Sequence, residues 1–254
     1  MNRNRTIIDA HAHMEVYDVL GFDDNPEKVL KYMDLAGISK ACISTYTNIP
    51  AVDNGSMEHY KECMTKYKGK FIPFLRVDPC FGDKTLDALK LAVEKYDYKG
   101  VKLHPIDYSM APFEETTIKI LEMAAYYGIP TLYHCSDEIM CLPLQIEWAA
   151  EAVPKANIIL GHMGGFYHQK DAIRIAERRE NVFLETCEQP YTWGIKETVQ
   201  KIGSQRLLFG TDMPTDNSKL EVEKIYHANL KDEDLDNIFY NNIAKLVGIK
   251  EGAL

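Results

Sequence analysis

The sequence predicts an α/β chain folded as a (β/α)₈ TIM barrel, a single domain over residues 1–254 that ends in a C-terminal helix. Three observations predict it. Short apolar runs alternate eight times with longer amphipathic segments, the pattern of a parallel sheet covered by helices. The 254 residues match the roughly 250 of one such barrel. The first apolar run ends in HAHM with no glycine after it, whereas an open doubly wound sheet carries a glycine-rich phosphate turn at that place.

The strands are expected at 6–11, 40–46, 71–78, 100–104, 130–135, 157–163, 182–187 and 206–212. Segments such as PEKVLKYMDLAG, TLDALKLAVEKY, ETTIKILEMAAYYG and DAIRIAERRE space their apolar residues for one helix face. Asn25 before Pro26, and Asp83 or Thr85 before Leu86, mark helix starts. Gly37, Gly128 and Gly203 follow the last apolar position of a helix and mark its end. The tail DEDLDNIFYNNIAKLVGI reads as an amphipathic helix packed on the outside of the barrel.

Composition narrows the function. Apolar residues make up 46% and charged residues 26%, as in ordinary globular proteins. The net charge of -9 argues against nucleic acid or an anionic membrane as partner, because both attract basic patches. It leaves room for an anionic small-molecule substrate in a locally basic pocket. The six cysteines form no CxxC pair and are expected to be reduced, mostly buried thiols. With neither a signal peptide nor a long apolar run, the cytoplasm is the expected location. A homodimer is compatible with the sequence, which carries no interface signature.

A barrel places its active site at the C-terminal ends of its strands. The polar residues expected there are His11 and His13, Arg76, Lys102 and His104, His134, His162, Glu185 and Cys187, and Asp212. Side chains two apart on a strand share a face, so His11 and His13 can bind one ion together, with Asp9 on the same face to orient a ligand. Taken alone, the pair reads first as two unrelated histidines at a strand end. His134 alone is a core histidine; the recurrence of histidines at neighbouring strand ends makes it a ligand. Asp212 ends an apolar strand, where a carboxylate needs a partner or a metal, or else caps the next helix. Three histidines and an aspartate suit a divalent ion, zinc first and manganese second. His162, in LGHMGG, is expected as an acid/base because imidazole titrates in the working range.

IIDAHAHM, GVKLHP, YHCS, ILGHMGG and LLFGTDMP, in this order, resemble the amidohydrolase superfamily, in its branch of small metal-dependent hydrolases and decarboxylases. The resemblance implies His11 and His13 as strand-1 ligands, His134 as the strand-5 ligand, and Asp212 as a strand-8 ligand that also moves a proton. It implies His162 as the residue that polarises or protonates substrate. In binuclear members a strand-4 lysine is carboxylated and bridges two metals. Lys102 stands there, but the branch most resembled pairs KLHP with one metal, so one ion is expected, with Lys102 as a charged wall or anion contact. An ion pair with Glu185 is the structural alternative. Arg76 is expected to bind a substrate carboxylate or phosphate, with His104 beside it; a structural ion pair is its alternative.

Two reactions fit these residues. The first is hydrolysis of an amide, ester or lactone by metal-activated water. The alternative is non-oxidative decarboxylation of an unsaturated or aromatic acid, with His162 or Asp212 protonating carbon. A non-enzymatic barrel scaffold is disfavoured because acid/base residues stand beside the ligands, and a metal-dependent nuclease expects a glutamate ligand on strand 4. The loops 46–60 and 105–113 are expected to roof the pocket, with Tyr46, Tyr108 and Phe113 near substrate.

Overall fold

Hydrophobic alternation becomes a closed wall in the computed structural model, which describes residues 4–15, 21, 25–49 and 55–249. Eight strands run in order around one sheet: β1 (Ile8–His13), β2 (Lys40–Ser44), β3 (Phe71–Arg76), β4 (Gly100–Leu103), β5 (Thr131–His134), β6 (Ile158–Gly161), β7 (Val182–Glu185) and β8 (Leu207–Leu208). Every neighbouring pair in that order is parallel. The ring closes where β1 meets the chain after β8: Ala10 N–H donates to Phe209 O, Asp212 N–H to His11 O, and His13 N–H to Met213 O.

The helices lie between the strands: α1 (Pro26–Ala36), α2 (Ser56–Lys66), α3 (Asp83–Tyr96), α4 (Glu115–Tyr127), α5 (Pro143–Ala152), α6 (Gln169–Arg178), α7 (Thr192–Ile202) and α8 (Ser218–His227). The expected signals act as such. Asn25 accepts from Lys28 N–H ahead of Pro26, and Gly37 and Gly128 end their helices in the left-handed conformation. Helix α3 begins at Asp83, with Gly82 before it. No helix among the described residues is long and apolar enough to cross a membrane. Within the loop expected at 46–60, residues 50–54 lie outside the described residues.

Two expectations are corrected. First, the tail forms α9 (Asp232–Asp236), a π-helical turn and α10 (Asn242–Leu246), and it does more than pack on the outside. Ile243, Ala244, Leu246 and Val247 share an apolar cluster with Ile8, Ala10, Ile72, Phe74, Leu132, Ile159 and Leu208. Those strand residues fill the lower barrel, so the tail closes its floor. The Asn242 amide holds it there, donating to the carbonyls of Ser204 and Leu207. Second, β1 does not alternate strictly. Its register against β2 shifts between Asp9 and Ala12, pairing Asp9 with Ala41 but His13 with Ser44. Such a bulge re-aims side chains, and Asp9 leaves the face of the two histidines. Its carboxylate accepts from Thr211 Oγ1 and N–H and from His11 N–H. Asp9 therefore locks the β1–β8 seam through the backbone and touches neither imidazole.

Candidate active site

The seam sets the site, because it brings His11, His13 and Asp212 together. His11 Nε2 and His13 Nε2 each lie 3.1 Å from Asp212 Oδ1. Donors at about 2.1 Å from one ion and near a right angle apart are separated by about 3 Å, so these three atoms fit neighbouring positions around a divalent ion. Asp212 does not cap a helix: α8 starts six residues later, capped by Asn217. Its backbone is left-handed at φ 54°, a conformation that costs a non-glycine residue about 1–2 kcal/mol and that the bonds to His11 hold in place.

His11 has a fixed tautomer. Its Nδ1–H donates to Glu185 Oε2 at 2.9 Å, which leaves the Nε2 lone pair toward Asp212 and Lys102. Glu185 is wholly buried and also accepts from Cys187 N–H and from the Cys187 thiol. Glycines make this packing possible. A Cβ on Gly210 would lie 2.2 Å from Glu185 Oε1 and 3.0 Å from His11 Cβ.

Lys102 is buried on β4 and points its ammonium at His11 Nε2, 2.6 Å away. Its contact is thus with a histidine; no ion pair to Glu185 is formed. Burial pushes its pKa down to about 8. Burial likewise holds His13 down to about 4, against the pull of Asp212, so the His13 imidazole is a neutral donor for a cation. Burial opposes ionisation of Asp212, yet His11 and His13 beside it keep its carboxyl well below the usual range.

His134 stands one step away. Its Nδ1 lies 3.0 Å from His162 Nε2, its Nε2 lies 3.3 Å from Glu138 Oε2, and its ring stacks on His104 at 4.1 Å. It reaches the His11–Asp212 group through His162. Among the described residues, His11, His162, Cys187 and Asp212 form a buried group whose donor atoms all lie within 4.8 Å of one another. His162 is not in a strand: it begins a tight turn after β6 with φ 64°. The Gln189 amide holds that turn by donating to the carbonyls of His162 and Gly165.

Arg76 is already engaged. Its guanidinium pairs with Asp107 and donates to Asn48 Oδ1 at 2.9 Å and to Thr45 O at 3.5 Å, so the structural ion pair of the sequence reading exists, and Arg76 also lines the cavity. His104 Nδ1 lies 3.1 Å from Asp107 Oδ1 at an angle too poor for a hydrogen bond, which makes that contact electrostatic. Burial pushes His104 down to about 3. These side chains surround a cavity of about 380 Å³, lined by Arg76, Lys102 and four histidines, with Tyr46, Asp107, Glu188, Asp212 and Thr215 completing it. Tyr46 stacks on His13 at 4.2 Å, so two pairs of flat rings face the cavity.

Sequence reasoning missed three contributors. Glu15 accepts from Tyr46 N–H, Thr47 N–H and Thr47 Oγ1 and so holds the loop that carries Tyr46. Its place two residues after His13 was a usable signal. Asp107 and Glu188 left none, since acids just past a strand are ordinary loop residues. Glu188 has φ 58° and sets Oε2 3.2 Å from His162 Nδ1. Burial, with Asp212, Asp216 and Glu185 nearby, pushes its carboxyl up to about 7.

A family model described as amidohydrolase matches residues 8–249. No curated protein matches the sequence. Several solved structures share the fold. One is a 2,6-dihydroxybenzoate decarboxylase from Rhizobium, 16% identical with a TM-score of 0.77, covering 96% of this chain and 99% of its own. A dihydroxybenzoic acid decarboxylase from Polaromonas with bound manganese and the inhibitor 2-nitroresorcinol is also 16% identical, with a TM-score of 0.77 over 96% of this chain and 97% of its own. A 5-carboxyvanillate decarboxylase from Novosphingobium aromaticivorans, complexed with manganese and 4-hydroxy-3-methoxy-5-nitrobenzoic acid, is 13% identical with a TM-score of 0.77 over 97% of each chain.

Proposed function

The chain belongs to the amidohydrolase family, and from that premise we propose that it is a metal-dependent, non-oxidative decarboxylase of a small aromatic carboxylic acid. The observation that carries this reading is the cavity: Arg76, Lys102 and two stacked ring pairs beside Asp212, with Asp107 and Glu188 also in its wall. The cations suit an anionic group and the flat rings suit a planar substrate. The fold likeness to three decarboxylases supports this reading over hydrolysis of an amide, ester or lactone, which rests on family membership alone.

The ligands proposed for the ion are His11, His13, His134 and Asp212. Zinc suits the imidazole-rich set, and manganese is bound in two of the similar structures. The bound ion would supply a Lewis acid that anchors the substrate carboxylate and draws charge from the ring. The rest falls to the chain. Lys102 and the Arg76 guanidinium attract the anion. Tyr46 on His13, and His104 on His134, flank the ring. His162 brings a proton to the carbon that loses CO₂.

The test is direct. Protein loaded with zinc or manganese is given a panel of hydroxylated benzoic acids, and CO₂ and the decarboxylated ring are measured. The expected result is stoichiometric CO₂ with no oxygen-18 taken up from labelled water. Hydrolysis of a lactone or ester with label incorporation, and no CO₂ from any acid, would overturn the proposal in favour of the hydrolase.

A further inference from the structure

The loops after β5, β6 and β7 join into one apolar face at the rim of the barrel. Helix α5 carries Leu144 and Trp148, four residues apart and so on one side of the helix, and both are half exposed or more. Phe113 meets Trp148 edge-on at 4.7 Å. The turn after β6 sits on the first turn of α5, since a Cβ on Gly164 would lie 2.9 Å from Pro143 Cγ. That turn leads into Phe166 and Tyr167, 60% and 84% exposed. Their backbone N–H groups donate to the Asp137 carboxylate at 3.0 Å each, which ties them to the loop that carries Ile139. On the other side, Gly194 leaves no room for a Cβ against Gln169. The start of α7, with Tyr191 stacked on Trp193 at 6.2 Å, therefore abuts the start of α6.

Area and charge both mark this face. Its five exposed aromatic residues, each about half exposed or more, offer about 600 Å² at roughly 200 Å² per side chain. Ile139 and Leu144 bring it near the about 800 Å² that each partner gives up in a standard interface. The largest apolar patch usual on a monomer is only about 300–600 Å². The stretches 139–148, 162–169 and 189–195 hold one acid, Glu147, and no lysine or arginine, in a chain that is 26% charged. Glu147 is already paired with Arg178, which donates to it at 2.8 and 3.0 Å.

We infer that this face is the contact between two copies of the chain. A two-fold interface sets a patch against itself, so any charge near its centre would meet its like. Two chains of net charge -9 repel each other over most of their surface, and a face of rings without charge is where they can meet. A basic partner would be drawn instead to the acidic remainder. Tyrosine, tryptophan and phenylalanine are the residues enriched where interfaces are fully buried, and charged residues are depleted there. The sequence shows no interface signature because three separate stretches build the face. Phe166 and Pro190 also line an open trough of about 410 Å³ that shares Glu188 and Thr215 with the substrate cavity, so the contact lies beside that cavity.

The test uses the full chain. Its two tryptophans, Trp148 and Trp193, are both on this face, so intrinsic fluorescence reads it without a label. Sedimentation equilibrium at micromolar concentration should give twice the 29.0 kDa of one chain. On dilution, acrylamide quenching of the tryptophans should rise at the concentration where the mass falls. Tyr167→Glu and Trp193→Glu should each raise the dissociation constant about 30-fold or more, with thermal melts confirming that both variants fold. Tyr126→Glu, as exposed as Tyr167 but near the C-terminal end of α4, should leave it unchanged. The mass of one chain at every concentration would overturn the inference and leave the face to a different partner. A dimer that neither substitution weakens, or one that dissociates with no change in quenching, would place the contact elsewhere and overturn it as well.

Discussion

Replacing Lys102 by methionine should tighten metal binding about tenfold at pH 7. The ammonium is 2.6 Å from His11 Nε2, and a metal–imidazole bond is about 2.1 Å, so an ion there would sit no more than about 4.7 Å from the ammonium. A dication and an ammonium at that distance repel by about 2 kcal/mol at a water-like dielectric and about 7 kcal/mol at an effective dielectric near 20. Lys102 can escape most of this by losing its proton. Burial has brought its pKa to about 8, and each unit above the ambient pH costs about 1.4 kcal/mol. The penalty therefore saturates near that figure at pH 7, which is about tenfold in affinity. Methionine keeps the length and removes the charge. Competition of zinc or manganese against a chelating dye, with elemental analysis for stoichiometry, reads the change. Loss of metal in the variant would refute the reasoning and make Lys102 a ligand, as a carboxylated bridge between two ions would be. Unchanged affinity would mean that the ion does not sit on His11 Nε2.

Three further outcomes follow from the same contacts. Glu185→Gln frees the His11 tautomer and should weaken metal binding about 10–100-fold; equal affinity would show that Glu185 does not orient His11. Gly210→Ala drives a Cβ into Glu185 and His11 and should cost about 1–3 kcal/mol of stability, read as a lower thermal midpoint; an unchanged midpoint would contradict the packing. Glu221 supplies a pH effect outside the site. Burial pushes its carboxyl up to about 8, against the pull of Lys224, so its folded pKa exceeds its unfolded one. The stability it contributes is full below about pH 4.3 and is lost as the pH rises through about 8. The thermal midpoint of Glu221→Gln should therefore gain on wild type between those limits, and a constant gap would refute the shift.

What the sequence revealed was set by periodicity. The barrel was legible because eight apolar runs were each followed by an amphipathic segment, and HxH was legible because strand geometry puts i and i+2 on one face. The same rule failed one residue earlier, since the bulge between Asp9 and Ala12 depends on how β1 meets β2, which no local pattern encodes. It failed again past β6 and β7, where His162 and Glu188 take left-handed backbone and their side-chain directions no longer follow alternation. Arg76 shows a third limit. Its place on β3 was readable, but its partner Asp107 lies on the loop after β4, and the register that pairs Arg76 with Lys102 brings the two together.

The two reactions weighed from the sequence share their ligands and differ in proton accounting. Hydrolysis by metal-activated water needs a base that begins without a proton and takes one from water. Decarboxylation needs an acid that begins with one. Asp212, held ionised between His11 and His13, could serve as such a base, so the ligand set alone leaves both reactions open. The difference lies at His162. There the imidazole Nδ1 lies 3.2 Å from the Glu188 carboxyl, which burial and neighbouring carboxylates push up to about 7. A carboxyl group that keeps its proton more readily than usual, set beside His162, suits a reaction that consumes protons. For that reason the distinction between these reactions is to be sought around His162, and the shared ligand set leaves it open.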